Sequence, residues 1–101
     1  MQFYETALQY LEKEKYNLSP FTVHTYYWNL KKIFDYNPNL ELENFDQSVV
    51  QNYKIHLQQL GNKPATVCKA LSVFRIFSKK IYQDGLLKVD PFEKVKIGRA
   101  Y

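Results

Sequence analysis

Along most of this chain apolar residues recur at three- and four-residue steps, the period of a helix that buries one stripe. Phe3, Ala7, Leu8, Tyr10 and Leu11 form such a stripe and predict a first helix from Phe3 to Lys15. Ser19 follows as an N-cap whose hydroxyl can accept an orphan amide, and Pro20 suits the first helical position because its missing N–H costs nothing there. A second helix therefore starts at Pro20, turns Val23, Tyr26, Tyr27, Leu30, Ile33 and Phe34 inward, and ends at Asn37-Pro38-Asn39. Proline disfavours helical geometry in the residue before it.

The connection then runs as a loop to Phe45, and Asp46 can cap a third helix that turns Val49, Val50, Tyr53, Leu57 and Leu60 inward. Gly61 can adopt the left-handed conformation that closes it. Pro64 opens a fourth, longer helix with Val67, Ala70, Leu71, Phe74, Phe77 and Ile81 at helical spacing, and Gly85 stops it. Leu86 to Val89 reads as a short extended piece, and Asp90-Pro91-Phe92 as a turn whose Phe92 packs back on the helices. Short connections between amphipathic helices imply an all-α fold, a compact four-helix bundle in which neighbours cover one another's stripes.

Composition supports one folded unit. The chain has 101 residues, 46% hydrophobic and 17% aromatic, with three glycines and four prolines, so it can bury a core and is not of low complexity. Cys68 is the only cysteine, which excludes an internal disulfide and suits a reducing compartment. The first residues lack a basic stretch followed by an apolar one, and no segment approaches the roughly 20 apolar residues of a membrane span. A cytoplasmic protein away from membranes is expected.

Charge changes the picture more. The net charge is +4, unevenly spread. Met1 to Leu18 and Pro38 to Asn62 are mildly acidic, whereas Lys63, Lys69, Arg75, Lys79 and Lys80 against Asp84 leave +4 between Lys63 and Asp84. Such one-sided excess is the footprint of a polyanion-binding surface. On the second helix Thr22, Thr25, Asn29 and Lys32 form an outward strip, flanked by His24, Trp28 and Lys31. On the fourth, Lys63, Thr66 and Lys69 crowd the first turns, and Ser72, Arg75 and Lys79 continue an adjacent strip. Hydroxyl, Lys and Arg side chains of this kind contact phosphate, although any single run of charge is more often a solvated face.

Enzyme chemistry finds little to work with. Gly61, Gly85 and Gly98 are too far apart for a phosphate-cradling loop, so no nucleotide cofactor is expected. His24 and His56 fall on different helices with no partner at metal-ligand spacing. Cys68 has no catalytic context, and most of the nine tyrosines are expected at bundle-facing positions. Glu12 with Glu14, and Glu41 with Glu43, read as solvated pairs. No catalytic, cofactor-binding or metal-binding residue is assigned.

Ser19-Pro20-Phe21-Thr22, Tyr26, Leu30 and Phe34, then Thr66, Lys69, Leu71, Ser72 and Arg75, then Gly85 and Asp90-Pro91-Phe92, follow one another in an order that resembles the core-binding domain of tyrosine recombinases. This is the SAM-like N-terminal module of the phage-integrase family. Asp90 stands where that family usually has Asn, and Ile81 where a small residue is common. The resemblance implies a half-clamp on a recombination core site, closed by a separate C-terminal catalytic domain. It puts Thr22, Thr25, Lys32, Lys63, Thr66, Lys69 and Arg75 near double-stranded DNA in the major groove. It further implies a nucleoid-associated protein that is mainly monomeric as an isolated domain and meets other recombinase subunits on DNA. The family's two arginines, lysine, His-x-x-Arg and nucleophilic tyrosine should lie elsewhere, because the third residue after His24 is Tyr27 and after His56 is Gln59. Tyr101 is then no nucleophile. Residues 1–92 form the helical domain on this reading, and Glu93 to Tyr101 begin an interdomain linker. Two other readings remain beside it: a helix-turn-helix regulator built on the Gly61-Asn62-Lys63 turn, and a protein-interaction bundle anchored by Phe21 and Trp28.

Overall fold

In a computed structural model describing residues 1–95, each predicted helix begins at the capping residue the sequence offers. Helix α1 spans Phe3–Glu14, followed by a 3-10 turn at Lys15–Asn17. Helix α2 spans Pro20–Tyr36 and is capped by Ser19, whose Oγ accepts from the Thr22 N–H at 3.2 Å. Helix α3 spans Gln47–Gln59, where Asp46 Oδ1 accepts from the N–H groups of Ser48 and Val49 at 3.1 and 3.3 Å. Helix α4 spans Pro64–Gln83, with Pro64 at its first position.

The two longest-range stops are built alike. Gly61 and Gly85 both take φ of +82°, a left-handed conformation open to glycine because it has no Cβ. After each, the chain folds back on the helix: Gly61 N–H reaches the Gln58 carbonyl at 3.0 Å and Asn62 N–H that of Leu57 at 3.4 Å. Gly85 and Leu86 repeat the pattern on Tyr82 and Ile81, so carbonyls left unpaired at the helix ends are satisfied.

Between α2 and α3 the loop is more ordered than its sequence indicates. A 3-10 turn forms at Leu42–Asn44, and Gln2 and Glu41 make an isolated antiparallel bridge. Phe3 N–H donates to the Leu40 carbonyl at 3.0 Å and Leu42 N–H to that of Met1 at 2.8 Å. Leu40, Leu42 and Phe45 are thereby carried into the core.

The core centres on Phe74. Its ring lies 5.2 Å from those of Phe3 and Phe45, 5.7 Å from Tyr53 and 5.4 Å from Phe92, mostly edge-to-face, the arrangement that the ring quadrupole favours. Leu30, Val50, Leu71 and Ile81 fill the space around it. The buried Ser78 hydroxyl is satisfied by donating to the Phe74 carbonyl at 2.7 Å. The fold is an all-α four-helix bundle.

Several expectations need correction. Leu60 is 65% exposed, because it stands at the C-cap where Gly61 turns the chain away. Leu86 to Val89 makes bends and no strand, with only Leu87 buried. The tyrosines are mostly not core residues: Tyr53 alone is buried, Tyr4, Tyr10 and Tyr26 are half-buried, and Tyr16, Tyr27, Tyr36 and Tyr82 are exposed. A phenol oxygen needs water or a partner, so these rings lie along the bundle's edges with their tips outward. Tyr101 lies outside the described residues, as does most of the segment read as a linker; Val95 still packs against the core.

Candidate nucleic-acid interface

Helix α4 runs for 20 residues without an Asp or Glu, and its cations are Lys69, Arg75, Lys79 and Lys80. Its buried residues line one side, so the four cations share the other. Lys80 is neutralised by Glu14 of α1. Lys69, Arg75 and Lys79 are exposed and make no ion pair among the described residues, and the same holds for Lys31 and Lys32 of α2 and for Lys63. An exposed cation without a fixed counter-charge keeps its full attraction for an incoming anion.

Helices α2 and α4 bring their leading ends together. The Lys69 ammonium lies 5.8 Å from the centre of the Phe21 ring, and further along Tyr26 meets Phe77 edge-on at 5.5 Å. The two helices therefore run side by side from their first turns. Thr25 follows Phe21 by one turn and Thr66 precedes Lys69 by one, so both flank this junction, while Lys63 is the N-cap residue of α4.

The other proposed positions are placed differently. Lys32 lies in a cleft of about 480 Å3 with Tyr36, Tyr53, His56, Leu60 and Asn62, beside the turn that leads to Lys63. Arg75 lines a separate shallow groove of about 360 Å3 along the outer face of α4, with Ser72, Ile76, Lys79, Lys80 and Gln83. Thr22, Thr25 and Asn29 are half-buried and not fully outward. The Thr22 hydroxyl is held 2.9 Å from that of Ser19, and the Asn29 amide donates to the Thr25 carbonyl at 2.8 Å. The strip thus partly serves the helix itself.

Sequence reasoning left Lys79 out of the residue set, although it lies in the same groove as Arg75. The absence of acid from the whole of α4 was the signal that pointed to it. His24 stands 6.1 Å from Trp28, edge to face, and borders a groove against α1 with Leu8, Leu11 and Val23. Cys68 is half-buried. Among the described residues no three His, Cys, Asp or Glu side chains are placed to share a metal ion, and no helix is long and apolar enough to cross a membrane.

A family model described as the Phage integrase SAM-like domain matches residues 2–97. No curated protein and no solved structure matches the chain. Asp90, which departs from the usual Asn of the family, performs a local task here: its Oδ1 accepts from the Phe92 N–H at 2.9 Å and so folds Phe92 back on Phe74. With four helices, a cationic α4 and a match over nearly its whole length, the chain belongs to the phage integrase SAM-like domain family.

Proposed function

We propose that this domain binds double-stranded DNA as the core-site half-clamp of a tyrosine recombinase, and that a separate catalytic domain carries out the strand chemistry of integration. The observation that carries this reading is the junction of Phe21 and Lys69, which joins the head of α2 to an α4 face free of carboxylates. Lys63, Lys69, Arg75 and Lys32 supply charge for phosphates, and Thr22, Thr25 and Thr66 supply hydroxyls between them. Neutralising phosphates releases condensed counterions, so such a surface gains affinity steeply as salt falls. The isolated domain is monomeric on this reading and meets other recombinase subunits on the DNA.

The test is fluorescence anisotropy of a labelled duplex titrated with the chain at several salt concentrations. Log affinity is expected to fall linearly with log salt at a slope of about −0.9 per phosphate contacted. Lys69→Glu and Arg75→Glu should each weaken binding and flatten that slope by about one contact. Absence of duplex binding at low salt would overturn the reading.

A protein-binding reading has one observation of its own. The groove between α1 and α2, about 650 Å3 and lined by Leu8, Leu11, Leu18, Val23 and Tyr27, is largely apolar. A partner seated there would bind with little dependence on salt.

A further inference from the structure

Of the seven phenylalanines, six are buried or half-buried and Phe21 is 65% exposed. It stands beside hydroxyl and cationic side chains, where a ring in water gains nothing for the fold. Its position is nevertheless well defined. Pro20 and the Ser19 cap fix the backbone of the first turn of α2, and the Lys69 ammonium sits 5.8 Å from the ring centre. A ring with two rotatable bonds, already oriented, loses little entropy when something covers it.

Phosphates can satisfy Lys69 and the threonines, but an apolar ring among them needs an apolar partner on the same ligand. In the major groove of a duplex the apolar group at a base edge is the C5 methyl of thymine. We propose that Phe21 is a base-reading residue that packs against a thymine methyl in the major groove, while Lys69 holds the ring and faces the neighbouring backbone. The proposal rests on the DNA-binding reading above and adds to it a sequence preference set by one side chain.

Duplexes enriched by the chain from a randomised pool supply the probe. Each thymidine of an enriched duplex is replaced in turn by deoxyuridine, which removes the methyl and keeps the Watson–Crick edge. One position, or two adjacent ones, should lose about fourfold in affinity, the worth of one methyl withdrawn from water. Phe21→Ala, whose helical circular dichroism should match the parent because the ring is exposed, should bind the thymidine and deoxyuridine duplexes equally at that position. Phe21→Leu should restore the preference. A flat deoxyuridine scan, or a Phe21→Ala variant that still discriminates, overturns the proposal while leaving DNA binding standing. Tighter binding to the single strand than to the duplex overturns it in favour of stacking on unpaired bases. If no duplex binds, the DNA-binding reading itself falls, and this proposal with it.

Discussion

Phe92 stands edge-on to Phe74 with ring centroids 5.4 Å apart, nine residues after α4 has ended. The core is therefore closed by a residue outside the four helices, held there by the N–H that Phe92 donates to Asp90. Phe92 is 5% exposed, so Phe92→Ala empties a site that neighbouring rings cannot refill. A loss of about 3 kcal/mol or more is expected in urea unfolding at neutral pH. A change below about 1 kcal/mol would show that the segment after Gly85 is an appendage and not part of the core.

The cap at Asp46 couples stability to acid. The Ser48 hydroxyl, which donates to Asp46 Oδ1 at 2.6 Å, and then the amides of the first turn hold this carboxyl below the ordinary aspartate range. A depressed folded-state pKa gives stability that is present above the unfolded value of about 4 and is lost as pH falls through the folded one. Asp46→Ala should cost about 1 kcal/mol at neutral pH and leave a shallower loss of stability under acid. Thermal melts of both proteins at a series of pH values measure the two effects together.

At the alkaline end the controlling group is Tyr53. Its hydroxyl is buried with no hydrogen-bond partner among the described residues, and burial pushes its pKa up to about 12. The pKa of Tyr10 also rises to about 12, through partial burial first and then the hydrogen bond it donates to Asp84. An unfolded tyrosine ionises near pH 10, so below that pH the stabilising difference is fully present, and it is lost as pH rises through the folded value. Tyr53→Phe should therefore gain about 1 kcal/mol at neutral pH, by removing an unpaired polar atom, and decline less between about pH 10 and 12. A loss of stability at neutral pH would show that the hydroxyl does have a partner.

What was legible in the sequence is local. Ser19 and Asp46 cap, Pro20 and Pro64 open, and Gly61 and Gly85 close, because each acts on backbone groups within a few residues of itself. What was not legible depends on distant partners. Periodicity alone put Leu60 and Tyr27 inward, yet Leu60 sits past the last helical turn and Tyr27 at the edge of the stripe. The order within Leu40 to Phe45 comes from its pairing with Met1 and Phe3, about forty residues away. For the candidate interface, charge along the chain located α4 correctly as the basic element. Only the fold could place Lys69 against Phe21, separate Lys32 from Arg75, and show that Thr22 and Asn29 spend part of their hydrogen-bonding capacity on α2.

Arg75 and Lys79 offer the sharpest measure of how far a bound duplex would extend along α4. Both line the outer groove, beyond the junction at Lys69, and neither has an ion-pair partner among the described residues. Lys80 beside them is bound to Glu14, so its charge is already answered. If a duplex lies along the outer face of α4, Lys79→Glu should weaken binding about as much as Arg75→Glu and flatten the salt slope by a similar amount. Lys88 makes a suitable control, because it shares a cleft with Glu43 and Asp46 in an acidic part of the surface. Lys88→Glu is expected to change affinity by less than about twofold, within the range of a screened long-distance charge. If Lys79→Glu and Arg75→Glu match this control while Lys69→Glu remains damaging, the contact ends at the heads of α2 and α4. Equal effects from all four substitutions would mean that binding follows net charge and not this surface.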